Sequence, residues 1–245
     1  MHMKQARKLA VTDWVGESLG APLYRLWDID PAKMPPTSMT IAIDAPDRVR
    51  ERAREASGFR VLKLKLGGAQ DHAMVNAVRE VTDTPIRGDA NEGFPDRETA
   101  IREIKWLASH NVELVEQPLP ADRLEDMVWL KARSPLPLIA DEAFLHSRDL
   151  SKLANAYHGI NAKLVKRGGT LAARETITLA RSHGVRVMLG CTVVSSLGIA
   201  AAAHLAPLAD YVDLDGNLLL ANDPYVGHPI VDGRIALRDA PGLGV

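Results

Sequence analysis

The stretch Val61-Leu62-Lys63-Leu64-Lys65-Leu66 decides how this chain is read. As a β-strand it turns Leu62, Leu64 and Leu66 to one face and Lys63 and Lys65 to the other. Helical patterns precede and follow it, as in a βαβ unit buried on both sides, so the lysine face is not an ordinary solvent face. Two ammonium groups inside a parallel sheet cost several kcal/mol unless anionic groups compensate them. An edge strand with two solvated lysines is the plain alternative. The first reading requires carboxylates elsewhere in the chain, and they occur at regular intervals.

Working outward, residues 4–19 read as a helix, with Ala6, Leu9, Ala10, Trp14 and Val15 spaced for one apolar face and Gly20 as its stop. Residues 21–38 carry Pro22, Pro31, Pro35 and Pro36 and read as a connector. From Ser38 a short apolar run, a turn and a helix repeat. Strands are expected at 39–43, 60–66, 85–89, 112–116, 137–141, 160–163, 185–190 and 211–213, with helices between them, including 47–57 and 71–82. The charged run Arg48-Val49-Arg50-Glu51-Arg52-Ala53-Arg54 is a solvated helix face, not a binding patch. From Lys65 to Asp213 the strand ends recur every 22 to 27 residues. A unit of that size repeated eight times predicts an α/β fold of the (β/α)8, TIM-barrel type. A doubly wound open sheet would carry a Gly-rich phosphate turn after its first strand, where this chain has Asp44-Ala45-Pro46.

Composition narrows the function. The 245 residues are 46% apolar and 25% charged, enough for a sizeable core, and the formal charge of −1 argues against a nucleic-acid or anionic-membrane binder. The single cysteine, Cys191, cannot form an internal disulfide and fits a reducing compartment. No apolar run approaches a membrane span, and the N-terminus lacks a secretory h-region. A cytoplasmic protein is expected.

Lys65, Asp89, Glu116, Asp141, Lys163 and Asp213 stand at strand ends, which in a barrel converge on the C-terminal face. A single strand-terminal aspartate is usually a helix N-cap; six ionisable groups in phase with a repeat point to a site. Asp89, Glu116 and Asp141 offer hard oxygen ligands, and the eight histidines include no HxxxH or HExxH pair. That donor set selects Mg²⁺, with Mn²⁺ as the substitute, over Zn²⁺. A lysine beside a metal and a second lysine has a destabilised ammonium and can act as a base near neutral pH. Bases flanking a metal suit proton abstraction α to a carboxylate.

With those residues in place the chain resembles the enolase superfamily, in its muconate-lactonising branch, and within it the dipeptide epimerases. The resemblance rests on Lys63-Leu64-Lys65, Asp89-Ala90-Asn91, Val115-Glu116-Gln117-Pro118, Ala140-Asp141-Glu142, Asn161-Ala162-Lys163, Gly190-Cys191 and Asp213-Leu214-Asp215-Gly216. It implies a modified (β/α)7β barrel, Asp89, Glu116 and Asp141 as Mg²⁺ ligands, and Asn91 and Glu142 as residues supporting them. Lys65 and Lys163 become the opposed acid/base pair, with Lys63 assisting Lys65. Asp213 and Asp215 would hold the free ammonium of a dipeptide, since a cationic end suits two carboxylates. The reaction implied is 1,1-proton transfer at the α-carbon of an L-Ala-D/L-Glu type dipeptide through an enediolate, a step in cell-wall peptide metabolism.

The resemblance also implies a capping domain ahead of the barrel. On that reading residues 1–37 are a linking helix and connector, 38–223 the barrel, and 224–245 a segment that returns to the cap and has little to pack on here. With the cap largely absent, an exposed apolar patch is expected, with poor solubility or homo-oligomerisation as its consequence. Val194 stands where relatives often carry a glutamate, which points away from L-Ala-L-Glu toward another dipeptide. Cys191 reads as a small buried residue and Lys166 as a loop or supporting residue. Two readings stay open beside the epimerase. One is an o-succinylbenzoate synthase, N-acylamino-acid racemase or muconate cycloisomerase, whose substrates lack the free ammonium. The other is a catalytically silent barrel that only binds Mg²⁺ or a partner.

Overall fold

The computed structural model describes residues 2–245, which fall into two compact units. In chain order the first elements are α1 (His2–Leu19), α2 (Leu23–Leu26), β1 (Ser38–Ile41), α3 (Pro46–Glu55), β2 (Val61–Lys65), α4 (Asp71–Arg79) and β3 (Ile86–Asp89). Next come α5 (Arg97–Ala108), β4 (Val112–Glu116), α6 (Leu124–Lys131), β5 (Leu138–Ala140), α7 (Leu150–Ala156) and β6 (Gly159–Asn161). The chain continues with α8 (Leu164–Arg167), α9 (Thr170–Ser182), β7 (Arg186–Gly190), α10 (Ser196–Ala203), β8 (Tyr211–Asp213), β9 (Ile230–Val231) and β10 (Arg234–Ile235). Strands β1 to β8 are parallel in chain order with helix between each pair, and among the described residues no helix follows β8. That is the (β/α)7β pattern of a TIM-type barrel. No described helix is long and apolar enough to cross a membrane.

The unit of Ser38–Asn161 with His183–Arg186 holds β1 to β6. Its registers align Lys65 with Asp89 and Asp89 with Glu116, so three ionisable strand ends lie side by side. Leu62 and Leu64 of β2, with Leu66 just beyond it, are buried on one face, and Lys63 is buried on the other. Helices α3 to α5 bury Val49, Ala53, Met74, Val78, Ala100 and Ile104. On the surface of α3, Arg48 pairs with Glu51, Arg50 with Asp47 and Glu80, and Arg52 with Glu55, as a solvated face requires.

The other unit comprises the N-terminal stretch through Thr37, Ala162–Ser182 and Val187–Val245. Here the helical reading of 4–19 holds, but its inward face differs. Leu9 and Gly16 are buried, whereas Val11, Trp14, Val15 and Leu19 form an exposed stripe. The inward positions look polar in sequence because their partners are other polar groups: the Thr12 hydroxyl meets the Thr170 hydroxyl at 3.3 Å, and the Asp13 carboxylate accepts from Leu243 N at 2.8 Å. A Cβ on Gly16 would stand 2.5 Å from the Gly242 Cα, so this contact needs glycine. The connector at 21–38 contains α2 and a 3-10 turn at Pro31–Lys33, capped by the Asp30 carboxylate accepting from Ala32 N. Residues 224–245, expected to have little to pack on, are instead tied down. Gly242 exchanges backbone hydrogen bonds with Ala21 and Leu23, Leu243 is fully buried, and β9 and β10 form a hairpin. Its turn is Asp232-Gly233, both at positive φ, the backbone a two-residue hairpin loop favours.

His204, at the end of α10, fastens both chain ends. Its Nδ1 accepts from Tyr24 N at 3.2 Å, its Nε2 meets the Leu243 carbonyl at 3.3 Å, and the ring stacks on Tyr24 and meets His228 edge-on. Burial holds His204 down to about 4, and burial together with Arg238 does the same for His228. The fold therefore favours the neutral rings, while an unfolded imidazole gains its proton near 6.5. Stability is expected to fall as pH drops from about 6.5 to about 4, with His204 contributing roughly 2–3 kcal/mol of that loss. Urea unfolding at pH 7 and 4.5 measures it, and His204→Leu should flatten the slope. An unchanged slope in that variant rules the assignment out.

Candidate active site

The carboxylates that the lysine strand requires are on the neighbouring strands of its own unit. Lys63 Nζ lies 2.7 Å from Glu116 Oε2 and 3.0 Å from Asp89 Oδ2, and Lys65 Nζ lies 2.7 Å from the same Asp89 oxygen. Lys63 is 3% exposed, Asp89 0% and Glu116 1%, while the Lys65 side chain is one-third open. Burial pushes the Asp89 carboxyl up, but Lys63 and Lys65 outweigh it and hold the group at about 2. The cluster extends outward along hydrogen bonds. Lys65 donates to Asn91 Oδ1 at 2.8 Å, and Asn91 Nδ2 donates to Glu142 Oε1 at 2.9 Å. It also extends inward: Asn161 Nδ2 donates to Glu116 Oε1 at 2.6 Å.

Asp141 is buried and stands one residue beyond β5, past the ladder. Gln117 reaches it there, its Oε1 accepting from Asp141 N at 3.0 Å. The non-glycine residues Asn91, Glu92 and Gln117 all have positive φ, a local cluster of strain at the ends of β3 and β4 of the kind found where backbone geometry is set by function.

The other unit holds the remaining expected residues. Lys163 is buried, two residues beyond β6, and its backbone opens α8 by accepting from Lys166 N and Arg167 N. Lys166 thus lies in that short helix. Asp213 ends β8 and Asp215 follows it; both side chains are nearly fully buried. Cys191, expected to be buried, is half-exposed, with its Sγ 4.0 Å from Asp215 Oδ1. Val194 packs against the start of α10, since a Cβ on Gly198 would touch its side chain.

A family model described as enolase C-terminal domain-like matches residues 47–245. The chain belongs to this family. As a member it is 44% identical over 243 residues to the L-Ala-D/L-Glu epimerase of Bacteroides thetaiotaomicron, covering 99% of this chain and 63% of that protein. It therefore spans less than two thirds of that relative's length. Among solved structures, the substrate-liganded L-Ala-D/L-Glu epimerase of Bacillus subtilis superposes with a TM-score of 0.89 at 30% identity, over 98% of this chain and 71% of the other. The dipeptide epimerase of Enterococcus faecalis, complexed with Mg and the dipeptide L-Leu-L-Tyr, gives 0.89 at 32% identity, over 98% and 72%.

Among the described residues no three His, Cys, Asp or Glu side chains gather closely enough to hold a metal ion. The donor chemistry of this enolase-like chain nonetheless fits a hard divalent cation. Asp89, Glu116 and Asp141 are buried carboxylates, the first two already paired with Lys63 and Lys65. Glu142 adds a buried Oε2 with no hydrogen-bond donor. Carboxylate oxygens with no thiolate or imidazole beside them suit Mg²⁺ better than any soft metal. The roles of Gln117 and Asn161 are not evident from sequence beyond their place in the quoted motifs.

Proposed function

We propose that the chain catalyses 1,1-proton transfer at the α-carbon of the C-terminal residue of a dipeptide of the L-Ala-D/L-Glu type. The buried ion cluster of Lys63, Lys65, Asp89 and Glu116 carries this reading, because a fold keeps so many desolvated charges together for chemistry more readily than for stability. Lys65 and Lys163 are assigned the two proton transfers, one removing the α-proton and the other returning one. Lys63 assists Lys65 by sharing the Asp89 oxygen, which fixes where the Lys65 ammonium points. Asp89, Glu116 and Asp141 would hold Mg²⁺, which supplies positive charge to the substrate carboxylate as negative charge spreads onto it.

Asp213 and Asp215 are assigned the substrate ammonium. A cationic substrate end suits two carboxylates, and an N-acylated amino acid offers none. This is the feature that favours a dipeptide over the N-blocked substrates of the same branch. With Val194 in place of an acidic residue, a dipeptide other than L-Ala-L-Glu is favoured.

The test is α-proton exchange in D₂O with Mg²⁺, followed by NMR across a panel of L,L-dipeptides and N-acylated amino acids. Exchange confined to free-amine dipeptides supports the proposal. Exchange only with N-blocked substrates moves the chain to the racemase or synthase reaction. No exchange with any substrate overturns the assignment of activity to this chain.

A further inference from the structure

Asp89 and Glu116 are held by the sheet, but Asp141 is not. It stands past the end of β5, and its backbone N–H goes to a side chain. That side chain, Gln117, is fully buried and has every hydrogen-bonding position of its carboxamide filled. Oε1 accepts from Asp141 N at 3.0 Å and from Ala143 N at 3.1 Å. Nε2 donates to the Leu119 carbonyl at 2.8 Å and to the Tyr157 hydroxyl at 3.0 Å. Two backbone N–H groups facing one atom identify that atom as oxygen, so the amide orientation is not in question.

The backbone of Gln117 is fixed equally firmly. Its N–H donates to the Ile139 carbonyl, its carbonyl accepts from Glu92 N, and its φ of 39° lies in the left-handed region. A non-glycine residue keeps that conformation only where its surroundings impose it. One side chain thus ties the turn carrying Asp141 to the end of β4, next to Glu116.

We propose that Gln117 is a positioning residue: by gripping the Asp141 and Ala143 amides it sets the aim of the Asp141 carboxylate and thereby the affinity of the chain for a divalent cation. The inference rests on the metal-site reading given above. Residues that orient ligands from behind typically change metal affinity by about 10–100-fold when lost.

The experiment compares Mg²⁺ binding by titration calorimetry, and amide hydrogen exchange, in the wild type, Gln117→Met, Tyr157→Phe and Met127→Ala. Met127 is buried in α6 and serves as a purely structural control. In Gln117→Met the Kd for Mg²⁺ is expected to rise at least about tenfold, with faster exchange at the Asp141 and Ala143 amides. Tyr157→Phe leaves both acceptor bonds of Gln117 in place and should stay within about twofold of wild type. Met127→Ala should lower the melting temperature and leave the Kd unchanged. Wild-type affinity in Gln117→Met, or an equal loss in Met127→Ala, overturns the inference alone. A wild type that does not bind Mg²⁺ overturns the metal reading and this inference with it.

Discussion

Lys63→Met is expected to destabilise the chain by about 3–5 kcal/mol at pH 7, the cost of leaving buried carboxylates without their cation. Methionine nearly matches the volume of the lysine stem, so lost packing contributes little and the effect isolates the charge. In the variant, Glu116 retains the Asn161 amide and Asp89 retains Lys65, but the ammonium that joins the two carboxylates is gone. The loss should depend on pH in a definite direction. Asp89 is held at about 2 in the folded chain against an ordinary value of 3.8, so its stabilisation is complete above 3.8 and fades as pH falls toward 2. Part of that depression comes from Lys63, so the gap between wild type and variant should be widest at neutral pH and narrow below about pH 4. Urea unfolding of both proteins at pH 7 and 3.5, in chelator, measures it. Equal stability at pH 7 would falsify the view that the cluster needs Lys63.

The parts legible in sequence are those carried by period and spacing. The alternation in Val61–Lys65 separated the leucine and lysine faces, and the recurrence of strand ends predicted both the barrel and the carboxylates that now meet those lysines. Two ends shifted slightly: Asp141 and Lys163 lie just beyond their strands, because inter-strand pairing stops where the backbone turns into its own loop. What escaped were roles created by the approach of distant segments. Gln117 and Asn161 look like ordinary polar residues at strand ends, and only the arrival of the Asp141 amide and the Glu116 carboxylate gives them a role. His204 follows a run of alanines and acquires its role from Tyr24 and Leu243. The Asp232-Gly233 turn did carry a hairpin signal, but its two-residue strands are too short to show alternation. On α1, apolarity grouped Trp14 with Leu9, whereas the face that packs is Leu9, Thr12, Asp13 and Gly16, chosen by close approach and hydrogen bonds more than by hydrophobicity.

If the proposed reaction holds, Lys65→Ala and Lys163→Ala each lower it by about 10³-fold, the usual worth of a positioned acid or base. Their residual behaviour should differ. If each lysine serves one enantiomeric presentation of the α-proton, the surviving lysine still removes the proton from the epimer that offers it, and returns deuterium to the same position. Each variant should therefore exchange one epimer of a dipeptide in D₂O and leave the other untouched, with the two variants complementary. The geometry of Lys65 supports such a role. Asp89 Oδ2 and Asn91 Oδ1 engage two of the three ammonium donors at 2.7 and 2.8 Å, and the side chain remains one-third open, so it is oriented and reachable at once. Lys163 is more enclosed and is set at the first turn after β6. The assay is NMR exchange with each pure epimer, with circular dichroism confirming that both variants fold. Two variants that exchange both epimers, or that exchange the same one, would remove one lysine from the pair. A folded Lys163→Ala that exchanges neither epimer would overturn the division of faces between the two lysines, because a base on one side of the α-carbon reaches the proton of one epimer alone.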